Sequence, residues 1–461
     1  MKKRAEMIAE VTPNEFDKDI ILNKTEQVVA LKLEKLKTEI LHEDPECITG
    51  EFYDKKEFLL KSKVYEALHE MPKPAVHHLH LTAATPIRYL IKATYRDYVY
   101  YNQNLNILKV TKNKLEEEGF VKCNLLRQYW KSPADFDKYL EAKILLGPNQ
   151  IDSKETHKIW MNFQYKFTLT MQLMNYYEFF EYFLSKILIT FLEQHVVIIE
   201  FRHIFGCVID DEGNPIGVKK ECEMIERVVK TLQMQYPLLQ VTLINCCLKF
   251  LGKPHCQAML DATFEAQTYT DMVVGFDMVC EEDECMAISE CVPLILEARE
   301  KSPNGLNLWL HAGESLERTN NNVVDAVLLG TKRIGHGYNL IQHPELIETV
   351  KARDICLECC PCSNKVLGQV LDVRCHPVRT LMQMGVPVSI SPDDPSFYGY
   401  DGVTLDFVYA FLAWDLSLGE LKKLSLNSIK YSSIPDTDKP RQYAAFEERW
   451  KRFLNFVRGR Y

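Results

Sequence analysis

The sequence predicts an α/β fold in which eight parallel strands close into a (β/α)8 barrel of the TIM type. Eight short runs rich in valine and isoleucine are spread over residues 75–391, and helical patterns separate most of them. Polar side chains stand at the ends of four runs, the edge where such a barrel carries its chemistry. The alternative is an open doubly wound sheet, but no glycine-rich phosphate loop opens a helix.

The composition is that of a large folded chain. It has 461 residues, 46% of them hydrophobic, which is enough for a sizeable core. The net charge is -9, and the scattered lysines and arginines argue against a nucleic-acid partner. No run reaches the roughly 18 apolar residues of a membrane span, so no membrane partner is expected. Fifteen cysteines include adjacent pairs at 246–247 and 359–360, which favours free thiols in a reducing compartment.

Residues 1–70 are predicted to form an N-terminal helical extension. Apolar residues recur at helical spacing between positions 20 and 40, and Pro45 ends that segment. The extension is a candidate dimerisation segment, so a homodimer is one expectation. The first residues lack the apolar stretch of a secretory signal, which favours a cytoplasmic protein, whereas a leader removed beforehand would make it a secreted one.

The barrel is predicted over residues 71–435. Its strand-like runs lie at 75–81, 196–202, 241–247, 272–279, 307–311, 333–336, 355–360 and 386–391. The first interval is too long for one helix. We therefore predict an inserted, partly irregular subdomain at about 97–155 and then one long helix over 155–193. Residues 436–461 are predicted to form a C-terminal helix.

Side chains at the strand ends have the chemistry of a metal site. His78 and His80 lie two apart on the first strand and share a face, whereas His77 points to the other side. His311 ends the fifth strand, and Asp393 follows the last one. Three neutral imidazoles and a carboxylate are a ligand set for Zn²⁺. Each residue alone also fits a core histidine or a solvated turn, so their conjunction at strand ends favours the metal.

Three neighbouring residues are candidates for proton transfer and substrate contact. Glu314 follows His311 closely, and a partly desolvated carboxyl group there can carry a proton. His336 lies between two glycines after the sixth strand, where it can orient or deprotonate a water molecule. Asp394 can accept a hydrogen bond from a substrate. The structural alternatives are a helix-start glutamate, a turn histidine and a solvated turn.

Other cysteines and histidines have simpler interpretations. The segment 359–362 contains a C-x-x-C spacing that is open to a redox or metal role, but buried small hydrophobic residues explain it more simply. His203 and His255 have no ligand-type partner at short spacing and are interpreted as structural.

The chain resembles the adenosine deaminase superfamily, and within it the adenosine deaminase growth factor branch. From about residue 55 onward the resemblance is carried by MPKPAVHHLHL, EFRHIFG, VVGFDMV, HAGES, TKRIGHGYNL, ECCPCSNKVL, SISPDDPSFYG and LSLNSIKYSS. It implies a zinc-bearing barrel with one Zn²⁺ per chain, held by His78, His80, His311 and Asp393. It also implies that Glu314 protonates purine N1, that His336 steers water toward C6 and that Asp394 hydrogen-bonds N7. The implied reaction turns adenosine or deoxyadenosine into inosine or deoxyinosine and releases ammonia.

The chain departs from the family pattern where ribose and the purine edge are expected. Leu81 and Thr82 occupy the positions of an acidic residue that holds a ribose hydroxyl, and Leu81 suits an apolar 5′ substituent. Cys280 replaces a glycine whose N–H faces the purine, and Trp160 matches a tryptophan of the nucleoside pocket. Two alternatives therefore stay open. One is an aminohydrolase for a 5′-substituted adenosine, a nucleotide or an N6-substituted purine, and the other is a non-catalytic binding or signalling relative.

Overall fold

Eight parallel strands form the centre of the molecule. The computed structural model describes residues 1–11, 16–113, 115–151, 156–302 and 305–461. Its strands are β1 (Ala75–His80), β2 (Val99–Asn102), β3 (Ile107–Val110), β4 (Phe120–Lys122), β5 (Ile198–His203), β6 (Gln240–Leu248), β7 (Val273–Val279), β8 (His311–Ala312), β9 (Arg333–His336), β10 (Cys356–Cys359) and β11 (Val388–Ile390). The parallel set is β1 and β5 to β11. Each overlaps a predicted run, because strands that are buried on both faces consist of continuous apolar segments.

The parallel strands form two four-stranded sheets, in the orders β1-β5-β6-β7 and β11-β10-β9-β8. At one edge, Phe276 of β7 pairs with Leu308 just before β8. The Phe276 N–H donates to the Asn307 carbonyl at 3.1 Å, and the Trp309 N–H donates to the Phe276 carbonyl at 3.0 Å. This contact joins the two sheets on that side.

The second seam joins β1 to the residue that follows β11. The His80 N–H donates to the Asp393 carbonyl at 3.1 Å, and the Asp393 N–H donates to the His78 carbonyl at 3.2 Å. Leu79 and Asp393 are thereby paired in parallel. With both edges joined, the eight strands form a ring, and the predicted fold class is confirmed.

Helices cover the outside of the ring. They are α1 (Lys2–Val11), α2 (Lys24–Glu43), α3 (Phe52–Leu60), α4 (Lys63–Glu70), α5 (Ile87–Ala93), α6 (Cys123–Tyr129), α7 (Pro133–Ile144), α8 (Thr156–Asn175), α9 (Tyr177–Glu193), α10 (Val218–Gln233), α11 (Gly252–Gln267), α12 (Ile288–Lys301), α13 (Asn322–Leu328), α14 (Pro344–Ala352), α15 (Pro361–Val366), α16 (Val378–Gln383), α17 (Pro395–Tyr398), α18 (Thr404–Ala413), α19 (Leu418–Lys430) and α20 (Lys439–Arg460). Short 3-10 helices lie at Leu81–Ala83, Pro148–Gln150, Lys249–Leu251, Tyr338–Gln342 and Val373–Cys375. Among the residues that the structure describes, no helix combines the length and hydropathy needed to cross a membrane.

The interval between β1 and β5 carries a small antiparallel sheet in the order β3-β2-β4, followed by α6 and α7. The prediction of one long helix over 155–193 was wrong, because two helices, α8 and α9, meet at Tyr176. The Tyr177 N–H donates to the Ile209 carbonyl at 3.0 Å, and the Ile209 N–H donates to the Asn175 carbonyl at 2.8 Å. The backbone leaves the helix to pair with the loop after β5.

The helices before the barrel pack against those that end the chain. Helix α2 contacts α19 and α20 through a buried face that includes Val29 and Leu33. Within that interface the buried Glu26 carboxylate accepts hydrogen bonds from Trp450 Nε1 and Lys422 Nζ, each at 2.8 Å. Residues 12–15 of the predicted extension and 152–155 of the predicted insert lie outside the described residues. The homodimer stays a prediction.

Gly275 of β7 lies at the first seam, where a side chain has no room. A Cβ there would come within 2.4 Å of the Asn307 carbonyl oxygen and 2.8 Å of Trp309 Nε1. We expect Gly275→Ala to lower the free energy of unfolding by about 1–3 kcal/mol, the usual cost of overpacking. Urea and thermal denaturation measure this change. Gly147→Ala is the matched control, because a Cβ at Gly147 meets nothing within 4 Å, and equal losses in both variants would contradict the assignment.

Candidate active site

Three imidazoles and one carboxylate converge at the carboxyl ends of the strands. His78 and His80 belong to β1, His311 to β8, and Asp393 follows β11. His80 Nε2 lies 3.3 Å from His311 Nε2 and 3.2 Å from Asp393 Oδ1, and His78 Nε2 lies 3.4 Å from the same oxygen. A tetrahedral ion with bonds of about 2.0–2.1 Å separates its ligand atoms by about 3.4 Å. The four residues therefore form a group that can hold a metal ion.

Two buried atoms of this metal group have no hydrogen-bond partner. His78 Nε2 and Asp393 Oδ1 are both buried, and neither makes a hydrogen bond to any described residue. An unpaired buried polar atom costs about 1–3 kcal/mol. A cation between the nitrogen and the oxygen would satisfy both, so the residues present fit a metal.

Carboxylates on neighbouring strands orient two of the imidazoles. His78 Nδ1 hydrogen-bonds Glu358 of β10 at 2.8 Å, and His311 Nδ1 hydrogen-bonds Asp277 of β7 at 2.6 Å. With Nδ1 engaged as the donor, we assign the Nε2 lone pairs to the metal group. Burial lowers the pKa of His311 to about 3, which keeps its ring neutral.

Two buried arginines neutralise these carboxylates. Arg202 donates from Nε to Asp277 at 3.1 Å and from Nη2 to Glu358 at 2.5 Å. Arg333 donates from Nε to Glu358 at 2.6 Å and from Nη2 to Glu200 at 2.7 Å. Burial alone would raise the pKa of Glu358, but the two guanidinium groups hold it well below its usual value. None of these residues was predicted from the sequence, although charged residues inside otherwise apolar strands were the available signal.

Glu314 and His336 lie beside the metal group. His336 Nε2 is 3.5 Å from Glu314 Oε2 and 3.8 Å from Asp393 Oδ2. Burial and the charges of Asp393 and Glu282 raise the pKa of Glu314 well above its usual value, which favours the protonated form of its carboxyl group. Burial lowers the pKa of His336 well below its usual value, so its ring is neutral. A protonated carboxyl group and a neutral imidazole can serve as acid and base.

Local backbone geometry sets the position of Glu314. Gly313 has a φ of +79°, and a Cβ there would lie 2.4 Å from Asn339 Oδ1. The Glu282 carboxylate accepts the N–H groups of Gly313 and Glu314 at 3.1 and 2.9 Å. The tight turn after His311 therefore requires glycine and directs the next side chain into the site.

His336 and Asp393 both have left-handed backbones, with φ of +61° and +65°. Neither residue is glycine, and such a conformation costs about 1–3 kcal/mol unless its surroundings hold it. At Asp393 the hydrogen bonds of the second seam do so. Cys360 has a ligand atom within 4.8 Å of those of His336 and Asp393, so one member of the cysteine segment 359–362 lies at the site.

A cavity of about 540 Å³ opens onto these residues, and Asp394, Cys280 and Trp160 all line it. Burial and the adjacent Asp393 raise the pKa of Asp394 well above its usual value. That Asp394 accepts a hydrogen bond from a substrate stays a prediction.

Leu81 does not face this cavity. Its side chain is buried in the hydrophobic core at 2% exposure, whereas Thr82 lines the cavity. Both residues belong to the 3-10 helix after β1, in which successive side chains point about 120° apart. The suggestion that Leu81 meets a 5′ substituent was wrong, and Thr82 is the position that faces a substrate.

Cys280 lines the cavity directly after β7, and Lys249 directly follows β6. Lys249 is 1% exposed, and its ammonium group makes no hydrogen bond within the described ranges. Burial raises the pKa of Cys280 to about 12, although the positive charge of Lys249 acts to lower it. Cys280 has a φ of +91°, a conformation that suits glycine better than any residue with a side chain.

Comparisons with known proteins address the family. The adenosine deaminase family model matches residues 141–444, which is well over half of the chain and includes His311, His336 and Asp393. Adenosine deaminase from Aedes albopictus is 29% identical over 418 residues, covering 87% of this chain and 78% of that protein. Adenosine deaminase 2 from Dictyostelium discoideum is 28% identical over 462 residues, covering 95% and 84%.

Solved structures share the barrel. An amidohydrolase from Burkholderia ambifaria with bound Zn has a TM-score of 0.61 at 17% identity, covering 86% of this chain and 95% of that one. Arabidopsis N6-mAMP deaminase has a TM-score of 0.59 at 16% identity, covering 83% and 99%. At these identities the likeness supports the fold alone. With the family match and the curated relatives, it follows that the chain belongs to the adenosine deaminase family, in its growth factor branch.

Proposed function

We propose that this protein is a zinc-dependent deaminase of purine nucleosides, which turns adenosine or deoxyadenosine into the inosine compound and ammonia. The observation that carries the proposal is one convergence of groups. A ligand set of three imidazoles and a carboxylate faces a cavity of about 540 Å³, next to a protonated Glu314 and a neutral His336. Membership of the adenosine deaminase family supports the same reaction.

Each side chain then has a distinct task. Zn²⁺, when bound by His78, His80, His311 and Asp393, supplies a Lewis acid that activates water. Glu314 gives its proton to a ring nitrogen while the adjacent carbon is attacked. His336 takes one proton from the attacking water and passes it to the amino group, after which the carbon–nitrogen bond breaks and ammonia leaves. The second proton of the water returns to Glu314, so one water is consumed and one ammonia is released. Asp394 hydrogen-bonds another ring nitrogen and orients the base.

A modified adenine compound is the second candidate substrate, because much of the cavity wall is apolar. The carboxylates among its described lining residues are Glu314, Asp393 and Asp394, all at the metal end. The apolar residues of the wall include Met161, Phe163, Phe167, Met171 and Phe250, and the uncharged polar side chains of Thr82, Gln164 and Asn175 line it as well. A 5′ or N6 substituent without charge suits this wall better than a bare ribose hydroxyl does. A panel of adenosine, 5′-deoxyadenosine and N6-methyladenosine discriminates between the two candidates.

The non-catalytic alternative is tested with Glu314→Gln. Glutamine keeps the shape of the side chain but holds no transferable proton, so we expect turnover to fall by about 10²–10⁴-fold with metal content unchanged. Ammonia release and elemental analysis of the same preparation measure both quantities. Glu317→Gln, at an exposed position in the same loop, is the control and should be as active as the wild type. Full activity in Glu314→Gln would remove Glu314 from the mechanism.

His80→Ala tests the metal ligand set. Loss of a residue that only hydrogen-bonds a metal ligand lowers metal affinity roughly 10- to 100-fold. Removing one of the four ligands themselves should lower the affinity further. Competition with a chelator followed by metal analysis measures the affinity. His42→Ala removes an exposed histidine of α2 and should leave the affinity unchanged. If His80→Ala binds the metal as tightly as the wild type does, His80 is not a metal ligand.

Thr82→Asp tests the missing ribose contact. A carboxylate on the cavity wall can accept a hydrogen bond from a ribose hydroxyl, and such a charged bond is worth about 1.5–3 kcal/mol. We expect kcat/KM for adenosine to rise at least about tenfold relative to 5′-deoxyadenosine. Leu81→Asp is the contrasting variant, because it buries a charge in the core and should mainly destabilise the fold. An unchanged substrate ratio in Thr82→Asp would mean that another group holds the ribose.

A further inference from the structure

A second cluster of metal-type ligands lies outside the catalytic group. His203 ends β5, Cys207 lies in the following loop, and Glu221 lies in the first turn of α10. One ligand atom of each lies within 4.8 Å of the others. Glu221 Oε1 is 3.8 Å from His203 Nε2 and 3.7 Å from Cys207 Sγ.

These separations are close to those around a tetrahedral cation. Bonds of about 2.0–2.1 Å to nitrogen and oxygen and about 2.3 Å to sulfur place N and O about 3.4 Å apart and S and O about 3.6 Å apart. The two distances to Glu221 exceed these values by at most about 0.4 Å, which small rotations of the side chains would close.

His203 has no other role that accounts for its nitrogens. It is 2% exposed, and neither ring nitrogen makes a hydrogen bond in the part of the chain that the structure describes. Phe180 and Phe205 pack against the ring with centroid distances of 5.9 and 4.8 Å, but aromatic contacts satisfy neither nitrogen. Burial lowers the pKa of His203 to about 3, so the ring is neutral and offers a lone pair.

Glu221 has a structural role that leaves its charge uncompensated. Its carboxylate accepts the N–H groups of Gly206 at 2.6 Å and Val208 at 2.8 Å, which wraps the loop around it. Among the ion pairs of the described residues its partner is His203, whose ring is neutral. Burial raises the pKa of Glu221 to about 7, and a nearby cation would stabilise the ionised form.

We propose that His203, Cys207 and Glu221 form a second cation site that takes a thiophilic divalent ion such as Zn²⁺. Imidazole, thiolate and carboxylate are all zinc ligands, and three protein ligands leave a fourth position open. His203 and Cys207 line the same cavity as His311 and Glu314, so the open position faces the substrate cavity. An ion there would fasten the loop after β5 to α10 and form part of the cavity wall. Because burial raises the pKa of the Cys207 thiol, binding displaces a proton, and affinity rises with pH.

The test uses the full chain stripped of metal and titrated with Co²⁺. A cobalt–thiolate bond produces a charge-transfer band in the near ultraviolet, and the four catalytic ligands include no cysteine. We expect the wild type to bind about two equivalents and to show the band, since each ligand set takes one ion. Cys207→Ser and His203→Gln should each bind one equivalent without the band. Cys375→Ser removes an exposed cysteine elsewhere and should behave as the wild type.

Two results would overturn the second site. One is a wild-type chain that saturates at a single equivalent without a thiolate band, which requires no variant to fold. The other is a band that persists in Cys207→Ser, which would assign the thiolate to a different cysteine. Unchanged cobalt affinity in His203→Gln would likewise remove His203 from the site. Loss of the band in Cys207→Ser together with its persistence in Glu314→Gln would separate this site from the proposed deaminase chemistry.

Discussion

The pairing of β1 with Asp393 is the contact on which both the barrel and the metal group depend. The backbone of Asp393 bonds to His80 on one side and His78 on the other. Two imidazoles on one face of β1 are therefore held against the carboxylate before any ion binds. The left-handed φ of +65° at Asp393 is part of this closure, because it turns the chain out of β11 while the seam bonds hold it. The same backbone hydrogen bonds therefore close the ring and pre-organise the metal ligands.

Buried carboxylates and arginines inside the barrel orient the imidazoles of the metal group. Glu358 and Asp277 each hold one imidazole by Nδ1, and Arg202 bonds to both carboxylates. Buried ion pairs of this kind add little net stability relative to apolar packing, since desolvation offsets most of the attraction. Their value here is geometric: five strands are linked by directional bonds that fix the rotamers of metal ligands. Loss of Glu358 would remove one of the two carboxylate partners from each arginine and would leave the His78 imidazole free to turn.

Much of the fold and the catalytic group was accessible from sequence because both follow local rules. Buried parallel strands consist of runs of β-branched residues, and the carboxyl ends of such strands meet at one edge of the barrel. The failures arise where contacts distant in sequence, or a change of backbone conformation, override the local pattern. A helical pattern continues through Tyr176, and only a tertiary bridge to Ile209 breaks it. Thr82 rather than Leu81 faces the cavity because the chain changes from strand to 3-10 helix directly after His80. Asp277 and Glu358 acquire their roles from strand neighbours that are far apart in sequence.

The second cation site illustrates the same limit and its reason. His203 and Cys207 are four residues apart, but their third partner, Glu221, comes from α10, so spacing alone does not reveal the set. On β5, consecutive side chains take opposite faces: Arg202 turns inward to Asp277 and Glu358, and His203 turns outward to Phe180 of α9 and Glu221 of α10. The two ligand groups therefore lie on opposite sides of β5, although His203 and Cys207 also line the cavity that His311 and Glu314 line. An ion in the outer group would fasten the loop after β5 to α10, while the inner imidazoles keep their carboxylate partners.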